Sequence, residues 1–392
     1  MVDVLAPPRR GDPGPRPPRP VRAPAPTPGD RVWVVLPAVV GVLCGIGLMM
    51  VLSASSVQAL RTTGGPWVFF VRQAAWVAAG AVALLFCAKV DYRRWRSAAG
   101  LLLALCVVLL VCVLVPSIGI TAGGSSRWLG FGQARFQPSE LAKLALLLFT
   151  ANLVAHRTER RGQDAVVVRP VLLATGLVSL LVMLQPDMGT TMIVVLVVLA
   201  VLFVGGVPLA RMAALLGATV ASGIVLALAE GYRRARLFAF MDPWEDASNT
   251  GYQIAQSLVA LGTGHLSGVG LGASRAKWGF LPNAHTDFIF AIIGEELGLL
   301  GTILVVALFA AFTAAGIRAA MRAPDCFGRL VAAGVTVWVV GQAFINVGAV
   351  IGLLPITGVP LPFVSFGGSS LVITMAAVGI LVNVARQGER SR

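Results

Sequence analysis

Apolar segments long enough to cross a membrane recur along most of the chain, and they limit its fold more than any other feature. A helix needs about 20 mostly apolar residues to span the roughly 30 Å hydrocarbon core of a bilayer. With a mean hydropathy of +0.84 and 12% charged residues, the chain has more apolar surface than one soluble core can bury. The sequence therefore predicts an all-α integral membrane protein with about ten transmembrane helices. The predicted spans are 33–53, 67–88, 98–116, 138–155, 169–185, 189–206, 209–230, 286–317, 329–353 and 364–385.

Positive charges are distributed unevenly between the two sides of this predicted topology. If the N-terminus is inside, the inner segments hold 21 Lys and Arg residues and the outer segments hold eight. Because Lys and Arg collect in cytoplasmic loops, both termini are predicted to be cytoplasmic. The loop 231–285, between the seventh and eighth spans, is then extracytoplasmic. The net charge of +14 is mostly a topology signal that also favours anionic membrane lipid, and it does not argue for nucleic acid.

The ends of the chain differ in composition from its middle. Residues 1–30 are rich in Pro and Arg and poor in large apolar residues, which predicts a disordered cytoplasmic tail. Residues 31–386 are predicted to form one polytopic transmembrane domain, and residues 387–392 a short cytoplasmic tail. The fifth and sixth spans are short and joined only by residues 185–188, so nine spans is the alternative count.

Polar residues inside or beside the predicted spans are the first candidates for function. Glu140 and Lys143 share one face of a helix and, in lipid, must face the protein interior or a wet cavity. They are either a structural ion pair or a substrate contact. Asp187, between the fifth and sixth spans, is either a helix cap or a site residue. The small residues 365–370, which include Ser369, favour close helix packing, with bare amide donors for an anion as the alternative.

The long outer loop contains two kinds of sequence. Residues 252–261 are amphipathic and too short to span, so they are predicted to lie in or dip into the membrane interface. Around them stand basic residues and Trp, among them Arg275, Lys277 and Trp278. This composition suits a lipid diphosphate, but an ordinary interfacial belt has the same composition.

The end of this loop places an acid at the membrane surface. The run 281–296 reads LPNAHTDFIFAIIGEE, so His285 and Asp287 stand where a water-facing loop gives way to a long apolar helix. A carboxylate at a helix N-terminus is stabilised by the helix dipole, which makes a cap the ordinary interpretation. The alternative is a reactive acid on the outer face.

Several of these motifs, in this order, resemble the SEDS family, named for shape, elongation, division and sporulation. The resemblance covers residues 31–386 and is specific because many motifs recur together. The segment 242–246 is more similar to the division members than to the elongation members, and Phe366 stands where Tyr is common. The matching motifs are 137–140 with Lys143, 185–190, 242–246, 251–253, 268–272, 285–291, 295–298 and 362–370.

The resemblance implies a peptidoglycan glycosyltransferase of the bacterial cytoplasmic membrane that polymerises lipid II on the outer face during septal synthesis. It implies a class B penicillin-binding protein and other division proteins as partners, and Asp287 as the catalytic carboxylate. Asp287 would accept a hydroxyl proton, while Arg, Lys or a divalent cation such as Mg2+ or Mn2+ would stabilise the leaving diphosphate. No organic cofactor is implied. The substrate-binding candidates are Trp128, Glu140, Lys143, Asp187, Lys277, His285 and Ser369.

Two other classes of function stay open at this point. Ten spans with interior charges also describe a lipid flippase or an ion-coupled carrier, although a carrier places its key charges near the midplane, often at broken helices. Asp287, Asp187 and Glu140 stand near the outer ends of spans, and only Glu295 and Glu296 lie deeper. A non-catalytic division scaffold would leave the outer acids without a purpose.

Overall fold

A computed structural model of the chain describes residues 31–390 except 64, 123–124, 132–133, 161–163, 230–239, 246–248 and 250. The predicted tail 1–30 therefore lies outside the described residues. The described part is mainly helical, as the sequence predicts. Its elements are α1 (Val32–Thr63), α2 (Val68–Lys89), α3 (Tyr92–Leu114), β1 (Ile120–Ala122), β2 (Ser125–Phe131), β3 (Ala134–Phe136), α4 (Pro138–Arg160), α5 (Asp164–Met183), α6 (Met188–Val204), α7 (Leu209–Ala229), α8 (Tyr252–Thr263), α9 (Ile289–Met321), α10 (Cys326–Val350) and α11 (Gly368–Arg390).

The long helices account for most of the predicted spans. Among the described residues, seven helices are long and apolar enough to cross a membrane: α1 to α4 and α9 to α11. The helices α5, α6 and α7 contain shorter apolar stretches of 10–17 residues, where three further spans are predicted. The chain is therefore a multi-pass membrane protein, and ten stays the predicted number of spans.

Two helices extend beyond the spans that the sequence predicts. The predicted third span begins at residue 98, but α3 begins at Tyr92, because Asp91 caps it by accepting a hydrogen bond from Arg93 N. Likewise α11 continues to Arg390, so the predicted tail from residue 387 begins inside a helix.

A small antiparallel sheet, which the sequence did not predict, lies between α3 and α4. In β1 and β2, Ile120 is opposite Trp128, and in β2 and β3, Leu129 is opposite Phe136. Arg127 on β2 reaches the turn before α6, where its Nε donates to Gln185 O at 3.0 Å and its Nη2 donates to Pro186 O. The sheet is thereby tied to the segment that carries Asp187.

The helix α9 is broken at Gly298, whose φ of 67° and ψ of −161° lie outside the helical region. The segment 265–270 supplies the hydrogen bonds that the break removes. Val269 N donates to Glu295 O at 2.9 Å, and Leu299 N donates to His265 O at 2.9 Å. A Cβ at residue 298 would lie 2.3 Å from Gly268 N, so only glycine fits this crossing.

The helix α8 is fastened to the rest of the bundle. It contains the predicted amphipathic segment 252–261, with Ile254, Ala255 and Ala260 on its buried side. Its location in the membrane interface stays a prediction. Ser257, also buried, donates its hydroxyl to Val350 O at 2.7 Å, at the end of α10.

Candidate active site

Asp287 stands two residues before α9 and is partly exposed. The N-cap of α9 is Phe288, so Asp287 does not occupy the cap position that the ordinary interpretation gives it. Its peptide carbonyl accepts a hydrogen bond of 2.8 Å from Asn346 Nδ2 on α10. Across from it lies Gly358, where an added Cβ would be 3.8 Å from Asp287 Oδ2. The Asp287 peptide is therefore held by α10, and its carboxylate lies beside the segment that precedes α11.

Asp187 is a helix cap, which is the first of its two interpretations. Its carboxylate accepts from Thr190 N at 3.1 Å and from Thr190 Oγ1 at 2.9 Å, at the start of α6. It also accepts from Gln137 Nε2 at 3.2 Å, just before α4. The cap position accounts for the carboxylate, and a role in substrate binding stays a prediction.

The segment 357–360 brings these two acids into one region. It packs against the start of α6, because a Cβ at Gly189 would lie 2.4 Å from Val359 Cγ2 and 2.7 Å from Thr357 O. The same segment borders Asp287 through Gly358. We call this region, where α4, α6 and α9 begin, the Asp287 end of the bundle.

Glu140 and Lys143 form a buried ion pair, with 2.8 Å between Glu140 Oε2 and Lys143 Nζ. The ammonium also donates to Gln342 Oε1 at 3.1 Å and lies 5.0 Å from the centre of the Trp338 ring. Its side chain is only 1% exposed. This arrangement supports the structural interpretation of the pair, because every one of these contacts is internal to the bundle.

Ser369 and the glycines beside it join helices at the Asp287 end. Ser369 is buried, and its hydroxyl accepts a hydrogen bond of 3.2 Å from Gln137 N. A Cβ at Gly368 would lie 2.5 Å from Trp76 Cε2 on α2, so close helix packing is confirmed at this glycine.

His285 is packed in an aromatic cluster. Its ring lies 5.2 Å from the Phe69 ring and 5.7 Å from the Phe366 ring, measured between centroids. Phe366 N also donates to His285 O at 3.0 Å. Burial lowers the pKa of His285 from 6.5 to about 4. The imidazole is therefore neutral at physiological pH, which suits a wall of the site better than an anion-binding group.

Lys277 is held beside the break in α9. Its Nζ lies 3.2 Å from Glu296 Oε1 and donates to Ser53 Oγ on α1 at 3.2 Å. Both charged side chains are buried. The neighbouring Glu295 accepts from Arg275 N at 2.8 Å and from the Ser274 hydroxyl. These four contacts, which we call the clasp, fix the segment 274–277. Contact of Lys277 with a diphosphate would therefore require its ion pair with Glu296 to break.

Comparisons with known proteins agree on the family. A family model described as "Cell cycle protein", for FtsW, RodA and SpoVE, matches residues 34–390. The chain belongs to the FtsW/RodA/SpoVE family. This finding confirms the SEDS resemblance.

Three relatives illustrate the match to the family. The protein named "Probable peptidoglycan glycosyltransferase FtsW" from Thioalkalivibrio sulfidiphilus is 46% identical, over 88% of this chain and 87% of its own length. Stage V sporulation protein E of Bacillus subtilis is 42% identical, over 88% and 94%. The crystal structure of the rod shape determining protein RodA of Thermus thermophilus matches with a TM-score of 0.67 and 27% identity, over 90% and 96%.

A further solved structure connects the family to a complex. It has a TM-score of 0.72 and 28% identity and covers 90% of this chain and 97% of its own. It is described as "Structural coordination of polymerization and crosslinking by a peptidoglycan synthase complex".

The described residues contain no group of three or more His, Cys, Asp or Glu side chains that could hold a metal ion. Mg2+ is often bound by one or two carboxylates together with substrate phosphates. Mg2+ or Mn2+ at the site stays a prediction.

Sequence reasoning missed two amide side chains at the Asp287 end. Gln342 and Asn346 stand four residues apart in the mainly apolar α10 and are both buried. A buried amide in a transmembrane helix costs free energy unless it is hydrogen-bonded. Two amides one helical turn apart could therefore have been recognised from the sequence. Trp128 is half-buried in β2, and its contact with substrate stays a prediction.

Proposed function

We propose that this protein is a peptidoglycan glycosyltransferase that polymerises lipid II into glycan strands at the outer face of the cytoplasmic membrane, at the division septum. One observation carries the proposal. In a chain of this family, Asp287 stands outside the cap position of α9, Asn346 Nδ2 holds its peptide carbonyl, and Gly358 borders its carboxylate. The excess of Lys and Arg in the predicted inner segments supports placing Asp287 at the outer face.

The chemistry needs a base and a good leaving group. The 4-hydroxyl of one sugar attacks the anomeric carbon of another, so that a new C–O bond forms as the bond to the lipid diphosphate breaks. Asp287 accepts the hydroxyl proton as general base. Undecaprenyl diphosphate departs as a stable anion, which needs positive charge more than it needs an acid.

The ion pairs within the protein reduce the number of cations that could supply this positive charge. Lys143 and Lys277 each face a buried carboxylate, Glu140 and Glu296. Arg275, by contrast, has an exposed side chain and follows the clasp residue Ser274 directly. We infer that Arg275 or a divalent cation neutralises the diphosphate.

A partner fits this chemistry, because a glycan strand must be crosslinked after it is made. A structural relative belongs to a peptidoglycan synthase complex in which polymerization and crosslinking are coordinated. We propose a class B penicillin-binding protein as the partner of this chain, together with other division proteins.

The break in α9 is the one observation that favours a carrier, because carriers bind ions at broken helices. Here, however, the carboxylates beside the break are engaged. Glu295 accepts from three groups of the segment 274–276, and Glu296 faces Lys277. Both acids are thus occupied by the protein itself, so the break serves to anchor the loop.

Glycan synthesis by the purified protein tests the proposal. The protein, copurified with its class B penicillin-binding protein, is supplied with lipid II while moenomycin blocks any contaminating polymerase of the other class. Glycan strands resolved on a gel are the expected product. Transfer of unpolymerised lipid II across a proteoliposome membrane would instead indicate a flippase, and neither result would indicate a scaffold.

A further inference from the structure

Asn346 contacts the catalytic loop and the segment beside it at the same time. It lies on α10 and is 2% exposed. Its Nδ2 donates to Asp287 O at 2.8 Å and to Val359 O at 2.8 Å. Because both partners are carbonyl oxygens, the amide must present its nitrogen to them, and this fixes its orientation.

Gln342, one helical turn away, continues this pattern. Its Nε2 donates to Pro360 O at 2.9 Å. Its Oε1 accepts from Lys143 Nζ and from Trp338 Nε1, each at 3.1 Å. Two amides of one rigid helix therefore hold two successive peptide carbonyls, those of Val359 and Pro360.

These contacts hold the two segments that border the carboxylate of Asp287. One hydrogen bond from Asn346 fixes the peptide that carries the carboxylate, and the other fixes Val359, next to Gly358. Gly358 lies against the carboxylate, since a Cβ there would be 3.8 Å from Asp287 Oδ2. Loss of the Asn346 amide would free both the Asp287 peptide and the segment at Val359.

We propose that Asn346 is a positioning residue for the general base Asp287. The inference rests on the proposed function. Catalysis depends on geometry more steeply than binding does, and a displacement of about 1 Å can cost about 100-fold in rate. The amide therefore acts on the chemical step, through Asp287.

The test compares Asn346→Leu with Asn383→Leu in the lipid II assay. Asn383 is also buried, and it bonds Tyr92 N at 3.1 Å and Ala88 O at 2.7 Å, far from the Asp287 end. Asn346→Leu removes two side-chain hydrogen bonds, and Asn383→Leu removes three, the third being the one that Asn383 Oδ1 accepts from Gln387 Nε2 at 2.9 Å. We expect kcat per folded molecule to fall about 10- to 100-fold in Asn346→Leu, with KM within about twofold. Asn383→Leu should keep the wild-type kcat.

Two results would overturn the inference. One is a kcat in Asn346→Leu equal to that of Asn383→Leu, and the other is a raised KM with an unchanged kcat, which would make Asn346 a substrate contact. If Asn346→Leu does not fold, Asn346→Ser keeps one donor and should show a smaller fall in kcat by the same mechanism. The wild-type protein is measured alongside, so absence of glycan from it identifies a failure of the proposed function itself.

Discussion

Asp287→Asn is expected to abolish glycan synthesis while leaving the protein folded and bound to its partner. The substitution is isosteric and removes the group that accepts the hydroxyl proton. General base catalysis contributes about 100- to 10,000-fold, so the loss should be at least about 100-fold. Gel analysis of glycan made from lipid II measures it, with size-exclusion profiles and copurification of the partner as checks on folding and assembly.

Asp325→Asn is the matched control for this change. Asp325 caps α10 at the opposite end of the bundle. Burial raises the pKa of its carboxyl, but hydrogen bonds from Gly328 N, Tyr92 and Arg93 outweigh burial and hold that pKa below its usual value. The control should lose some thermal stability and keep its activity. Near-normal synthesis by Asp287→Asn would remove Asp287 from the mechanism.

Loss of either member of the Glu140 and Lys143 pair is expected to destabilise the protein. A buried charge left without its partner costs roughly 3–5 kcal/mol. Lys143→Met should cost more than Glu140→Gln. The first change strands a buried carboxylate, whereas the second leaves Lys143 with Gln342 and the Trp338 ring. Thermal unfolding and the yield of monodisperse protein measure the effect.

The charge swap separates a structural pair from a substrate contact. Glu140→Lys combined with Lys143→Glu should restore part of the folded yield. Full recovery is not expected, because the new carboxylate would face Gln342 Oε1, which now accepts from an ammonium. If both single variants fold normally but make no glycan, the pair contacts substrate and the structural interpretation is wrong.

Local features of the sequence were sufficient for much of this structure. Hydropathy located the long helices, because a spanning helix is one apolar segment that satisfies all its backbone hydrogen bonds internally. The spacing of Glu140 and Lys143 placed them on one face, and the position of Asp187 before an apolar run made a cap one of its two interpretations. The first inference needs only one continuous segment, and the other two need only neighbours within about one helical turn.

Features that depend on contacts between residues distant in the sequence could not be predicted from local patterns. The break in α9 depends on segment 265–270 replacing hydrogen bonds some thirty residues further along the chain. Lys277 looked like an anion-binding residue, but its partner Ser53 comes from α1. Asn346 meets Asp287 only because α10 returns beside the start of α9. Such contacts follow from the packing of the helices, which no local pattern specifies.

The central claim is that Asp287 works at the outer face of the membrane, and labelling with an impermeant thiol reagent tests it most directly. Ala273, exposed in the loop before Asp287, is a suitable site for cysteine, whereas Ser274 beside it is 1% exposed. Of the native cysteines, Cys44, Cys87 and Cys106 are buried, and only Cys112 and Cys326 are partly exposed.

The experiment uses a Cys112→Ser background. In this background, labelling of Cys326 shows on which side of the membrane the loop between α9 and α10 lies. Ala273→Cys should react in intact cells, and Cys326 should react only after the membrane is permeabilised. Labelling of Cys326 in intact cells, with Ala273→Cys protected, would place Asp287 in the cytoplasm and contradict the proposed function.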